Sequence, residues 1–312
     1  MYNMMDILLR MPLIFTVPDR LTDVGSWQGH IPFAFAAIQY FQPRVFVELG
    51  THKGDSYCAF CQAVQTSGLP VACFAVDTWE GDSHSGFYGA DVFEELSAYH
   101  NCRYGLFSNL LRMTFDEALG HFSNGTVDLL HIDGLHSYEA VKHDFESWLP
   151  KMSSHGIVLL HDTHVRENGF GVWRLWQELA TRYPSFEYLH ANGLGVLGVG
   201  AASATESMSF FRMPDEAVDW VRRLFNRLGD AVGLCAQMTA ANTKIRQQGT
   251  YIDFQEKRME EIAATSESRR EYIGVLEKRI EEVSVNNERR GEYIGVLEKR
   301  LEEMTRKKRR IS

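Results

Sequence analysis

Between residues 45 and 199 the chain sets down short apolar runs, each followed by a stretch with helical spacing, and this alternation leaves few folds open. Runs at 45–49, 71–76, 127–132 and 157–160 are dense in Val, Ile, Leu and Phe. Strands covered on both faces read this way, because neither side of the pleat meets water. Helical patterns at 56–65, 138–148 and 170–182 stand between or after them, and parallel strands need such crossovers. A final strand pair is expected at 186–190 and 195–199. The fold class that follows is α/β, with a doubly wound, mostly parallel sheet.

Beyond residue 200 the texture changes. Pro214, Asp215 and Glu216 suit the first turn of a helix, where proline loses no hydrogen bond and acids meet the positive end of the dipole. From Tyr251 the sequence repeats every 21 residues: Tyr251-Ile-Asp-Phe-Gln-Glu-Lys-Arg returns as Tyr272-Ile-Gly-Val-Leu-Glu-Lys-Arg and again from Tyr293. Twenty-one residues are three heptads, with Ile252, Met259, Ile273, Ile280, Ile294 and Leu301 at a, and Ile262, Leu276, Val283, Leu297 and Met304 at d. Ser266 and Asn287 at a, with Gln255, Arg269 and Arg290 at d, interrupt the seam. Ile at a, Leu at d and one Asn at a favour a parallel dimer. The expected organisation is an N-terminal lead-in or cap at 1–30, a Rossmann-like domain at 31–201 and a helical connector at 202–248. A coiled coil at 249–305 and a basic tail at 306–312 complete it.

Hydrophobic residues make up 45% of the 312, enough for a sizeable core, and the net charge of −9 argues against a general nucleic-acid binder. Only the tail, with Arg306, Lys307, Lys308, Arg309 and Arg310, suggests weak contact with an anionic membrane surface. Five scattered cysteines do not form a disulfide framework, and the Cys58/Cys61 pair lacks a second pair at zinc-site spacing. No apolar run is long enough to span a bilayer and the N-terminus lacks a signal-peptide layout, so a cytoplasmic location is expected.

The chemistry begins after the first strand, at Val47-Glu48-Leu49-Gly50-Thr51-His52-Lys53-Gly54-Asp55-Ser56. Glycines at 50 and 54 let the backbone turn tightly beside a helix N-terminus and approach a ligand. A phosphate-binding loop needs Gly-Lys-Ser/Thr, but Gly54 is followed by Asp55. A dinucleotide site needs Gly-x-Gly-x-x-Gly, which is absent. A phosphate-free nucleoside such as S-adenosylmethionine suits what remains. Gly50, Thr51, Gly54 and Ser56 would meet it, Glu48 would receive its ammonium, and Asp77, ending the second strand, would accept from the ribose hydroxyls with Thr78 and Trp79 alongside.

These blocks, with Trp79-Glu80-Gly81-Asp82, Gly86-Phe87-Tyr88-Gly89, His131-Ile132-Asp133-Gly134-Leu135-His136-Ser137-Tyr138, Leu159-Leu160-His161-Asp162-Thr163 and Gly193-Leu194-Gly195-Val196, resemble a class I methyltransferase family. Its members act in bacterial glycan and natural-product pathways, and relatives include macrolide-sugar O-methyltransferases. The resemblance covers residues 25 to 200. It implies an S-adenosylmethionine-dependent O-methyltransferase acting on a small-molecule or glycan acceptor, in glycan or polysaccharide biosynthesis.

Asp133 and Asp162 each end a strand at the carboxyl edge of the sheet, where open α/β folds bind ligands. Two carboxylates converging there need a cation between them, and Mg²⁺ or another divalent ion fits. The Asp-x-x-His segment of the related sugar enzymes implies that Asp133 holds metal and His136 is the general base, with Asp162 as the second carboxylate. The relatives vary at the third ligand, having Glu-Asp where this chain has His161-Asp162 or Asp-Asn where it has Asp162-Thr163. His143, His161 and His164 are expected to be structural, and the loop from Gly81 to Tyr88 has the composition of a lid. A non-catalytic domain acting as a scaffold through a dimeric coiled coil is the alternative, and a hydroxylase-like reaction on the same cofactor is another.

Overall fold

The computed structural model describes residues 11–84, 86–200 and 209–309. Strands β1 (Val45–Leu49), β2 (Ala72–Asp77), β5 (Ser108–Arg112), β6 (Val127–Ile132), β7 (Met152–His161), β8 (Ser185–Tyr188) and β9 (Leu194–Gly198) form one seven-stranded sheet. Its order is β5-β2-β1-β6-β7-β9-β8. The first five run parallel, and β9 and β8 close one edge antiparallel. A two-strand ladder, β3 (Gly81–Asp82) and β4 (Gly86–Phe87), stands apart. The α/β expectation is met, and the strand order reverses between β1 and β6, the position where such sheets open a ligand crevice.

Helices α1 (Ile31–Phe41), α2 (Asp55–Ser67), α3 (Ala90–Tyr104), α4 (Phe115–Ala118), α5 (Tyr138–Trp148) and α6 (Val172–Ala180) flank the strands. Alternate residues of the central strands feed two cores. Phe46, Ala75, Leu129 and Leu159 pack with residues of α1 and α2, whereas Val47, Val76, Leu130 and Leu160 pack with α5 and α6. Strands β1 and β6 are buried along almost their whole length, so their runs read as apolar on both faces.

Several elements lay below the sequence signal. Helix α1 buries eight of its eleven residues, so it shows no amphipathic period. Strand β5 is an edge strand with a half-exposed pattern and no continuous apolar run. Strand β7 begins five residues before the expected 157, and its pairing with β6 shifts register between Val127 and Leu129. Only Leu96, His100 and Tyr104 of α3 are buried, too narrow a stripe to announce a helix.

Helix α7 (Asp215–Arg309) runs unbroken across the expected boundary between connector and coiled coil. Its residues to Thr239 belong to the first compact unit, where Val221, Phe225 and Val232 are buried in the same core as α1. Residues 240–309 form a second unit, and the heptad positions there are exposed, from 44% at Leu276 to 70% at Met259. No helix among the described residues is long and apolar enough to cross a membrane. Residues 1–10 of the lead-in, 202–208 of the connector and 310–312 of the basic tail lie outside the described residues, as does Ser85 of the suspected lid.

Candidate functional site

The loop leaving β1 is pinned from three sides. Gly50 donates to the Val76 carbonyl at 3.0 Å, and Asp133 donates from its backbone to the Leu49 carbonyl at 2.8 Å. Gly50 has φ +86°, and a Cβ there would strike the Asp133 carbonyl, so this position requires glycine. Gly54 also lies at positive φ, and an added Cβ would meet Leu96. Its left-handed turn opens α2, whose first residue, Asp55, accepts from the Thr22 amide at 2.7 Å.

Asp77 performs the third pinning. Its carboxylate accepts backbone N–H bonds from Thr51 at 2.8 Å, His52 at 2.9 Å and Trp79 at 2.7 Å. Trp79 is fully buried and donates from its indole to the His52 carbonyl at 2.9 Å. Thr78 is half-buried, and its carbonyl accepts from Arg112.

A cleft of about 490 Å³ opens over this loop. Gly50, Thr51, Gly54, Ser56, Asp133, His136 and Asp162 line it, so seven of the expected site residues share one wall. Glu48, Asp77, Thr78 and Trp79 are not among the lining residues. The Thr51 hydroxyl is buried and has no hydrogen-bond partner, as a group waiting for a ligand should be. Glu48 is fully buried; Oε2 accepts from His131 Nδ1 at 2.8 Å, and Oε1 has no hydrogen bond. Burial pushes its carboxyl up, and the bond from His131 opposes that rise.

Asp133, Asp162 and His136 converge at the strand edge. His136 Nε2 lies 2.9 Å from Asp162 Oδ2 and 3.4 Å from Asp133 Oδ1. One ligand atom from each of the three falls within 4.8 Å of the others. Asp162 sits at φ +61°, a left-handed conformation uncommon outside glycine but one that aspartate tolerates. His52, Asn168 and Asn192, which also line the cleft, share positive φ.

His161, expected to be structural, faces the same carboxylates. Its Nδ1 lies 3.2 Å from Asp133 Oδ1 and 3.2 Å from Asp162 Oδ2. Burial pulls down both His136 and His161, but the two carboxylates outweigh it and raise them to about 9 and about 10. Burial likewise opposes ionisation of Asp162, yet the charge of His161 and the bonds from both imidazoles lower it to about 2. Two carboxylates thus face two imidazoles that hold their protons.

Other lining residues come from segments that carry no motif. Trp27 arrives from the lead-in, and the rings of His84 and Phe170 stack 4.8 Å apart, with Phe170 4.4 Å from His136. His84 belongs to the β3–β4 turn, within the suspected lid, and its backbone N–H donates to Asp82 at 2.6 Å. Glu167, Asn168 and Asn192 add polar groups. Only the composition of the 81–88 loop pointed to any of them. His143 and His164 pair with Asp116 and Glu187 outside the cleft lining.

Residues 47–163 match a family model described as a methyltransferase domain, a span that holds the β1 loop, Asp77, Asp133, His136 and Asp162. A protein of Sinorhizobium fredii described as uncharacterized is 45% identical over 226 residues, covering 72% of this chain and 24% of its own length. The chain therefore spans about a quarter of that relative. Among solved structures, the methyltransferase PaMTH1 of Podospora anserina, bound to S-adenosylhomocysteine, is 14% identical, with TM-score 0.43, covering 62% of this chain and 86% of that one. The O-methyltransferase TomG of Streptomyces achromogenes, in complex with S-adenosylmethionine, is 13% identical, with TM-score 0.40, covering 64% and 97%.

Proposed function

We propose that the chain is an S-adenosylmethionine-dependent O-methyltransferase that methylates a sugar hydroxyl, assisted by a divalent cation and by His136 as base. The observation that carries the reading is the convergence of Asp133, His136 and Asp162 on the cleft wall shared with Gly50, Thr51, Gly54 and Ser56. The loop would hold the amino-acid end of the methyl donor through Thr51, Ser56 and backbone amides. Asp77 supports that loop from behind through its three amide bonds. S-adenosylmethionine supplies a sulfonium methyl group poised for in-line attack.

The carboxylate pair suits a hard divalent ion. Its ligand atoms lie close enough to share one, and Asp162 Oδ1 is buried without a hydrogen bond. Such an ion lowers the pKa of an acceptor hydroxyl that is otherwise too weakly acidic to attack at pH 7. With an ion held there, the carboxylates would no longer hold the extra proton on His136, and its Nε2 would accept the hydroxyl proton as the oxygen takes the methyl group. The thioether leaves with the sulfonium charge discharged. Trp27, Phe170, Glu167, Asn168 and Asn192 line the cleft, giving the mixture of apolar and hydrogen-bonding groups that a sugar requires.

The exposed heptad positions of residues 240–309 support a coiled-coil dimer of this chain. Incubation with S-adenosylmethionine, Mg²⁺ or Mn²⁺ and a panel of sugars should release S-adenosylhomocysteine with at least one acceptor. The His136→Ala protein should bind S-adenosylmethionine but release none. Full turnover by that variant refutes the base assignment.

A further inference from the structure

His161 is a buried group that this chemistry leaves unused, and its placement is unusual. Strand alternation puts it on the same face as Leu159, under the sheet with α1 and α2. The left-handed turn at Asp162 breaks the alternation and brings that carboxylate back over the His161 ring. One nitrogen, Nδ1, then stands 3.2 Å from an oxygen of each acid. Facing two acceptors, it must carry the proton.

The same two oxygens meet His136 from the other side, at 2.9 and 3.4 Å. The two imidazoles differ in freedom. Both line the cleft, but His136 is 14% exposed and His161 only 1%. The His161 ring is hemmed by Trp27 at 6.4 Å and by His30 at 5.5 Å between centroids. His136 can yield its place to a ligand, while His161 has nowhere to go.

We infer that His161 is a positioning residue whose Nδ1–H, shared between Asp133 and Asp162, fixes the spacing and rotation of the two carboxylates that receive a divalent cation. The inference rests on the metal-assisted reading above. Two like charges held close repel, and each carboxylate is free to turn about its own axis. A single rigid donor between them opposes both effects, leaving the remaining lone pairs aimed at the cleft. Partners that orient metal-binding carboxylates typically contribute ~10–100-fold to metal affinity.

The test is Mn²⁺ binding to the full chain by calorimetry, with S-adenosylmethionine binding as the check on the fold. His161→Leu removes the donor and should weaken Mn²⁺ by ~10–100-fold while S-adenosylmethionine still binds. His161→Asn keeps an N–H near the place of Nδ1 and should recover most of that loss. Leu and wild-type proteins binding Mn²⁺ equally would overturn the inference and leave the metal-assisted reading intact. So would an Asn variant as weak as Leu. Wild-type protein that binds no Mn²⁺ would overturn both together.

Discussion

The indole Nε1–H of Trp27 meets Nε2 of His131 at 3.1 Å, and both side chains are buried. An indole only donates, so Nε2 carries a lone pair and the His131 proton sits on Nδ1, directed at Glu48 Oε2. A lead-in residue with no motif thereby fixes the tautomer that satisfies a fully buried acid behind the cofactor loop.

His131→Phe strips the fully buried Glu48 of that donor. Leaving a buried carboxyl without its donor costs about 1–3 kcal/mol. Denaturant unfolding should show a loss of that order, and adding Glu48→Gln should recover part of it. A stability change below about 1 kcal/mol would mean the pair contributes little.

Asp77 separates two accounts of an acid at the end of β2. A carboxylate that only touches ribose can be removed with little effect on stability. One that holds the amides of Thr51, His52 and Trp79 cannot. Asp77→Ala should lower stability by about 2–4 kcal/mol, from the buried donors left unpaired, and weaken S-adenosylmethionine together with it. An unchanged melting temperature with lost binding would favour ribose contact alone.

Asp144, on α5, has its carboxyl pushed by burial to about 7, with Asp116 adding to the rise and His143 opposing it. The folded state then binds a proton that the unfolded chain releases near the ordinary value of 3.8. Its effect on stability is neutral below that value and becomes increasingly unfavourable as pH rises toward 7. Asp144→Asn should therefore raise the melting temperature at pH 8, by an amount worth a few kcal/mol at most, and change little at pH 3.5. Thermal unfolding of both proteins at the two pH values checks the sign.

Leu276 and Ile280 lie in consecutive d and a layers at the middle of the 21-residue repeats, and both are exposed. Replacing both by Glu puts charge into the proposed seam. Sedimentation should show a dimer for the wild-type chain and a monomer for the double variant. A wild-type monomer at micromolar concentration would contradict the coiled coil.

The sheet core was legible because its strands are covered on both faces: 45–49 and 127–132 read directly, and their carboxyl ends carried Gly50 and Asp133 into view. Asp162 was legible as a strand end, and His136 only through its match to the Asp-x-x-His segment of the resembled family. The partners that complete the site were not. Trp27, His84 and Phe170 reach it from irregular segments, where position depends on tertiary packing. His161 was passed over because alternation buries it, and only the left-handed backbone at Asp162 turns the acid onto it. Asp77 was found for its place at a strand end, but sequence could not tell that its oxygens face amides.

Calorimetric titration of S-adenosylmethionine into the full chain, beside a Thr51→Val variant, tests the central claim most directly. Saturable one-site binding is expected, weakened about 10-fold when the buried, unpartnered Thr51 hydroxyl is removed without changing its shape. No heat of binding at any ligand concentration, with or without Mg²⁺, would contradict a methyl-donor site in this cleft.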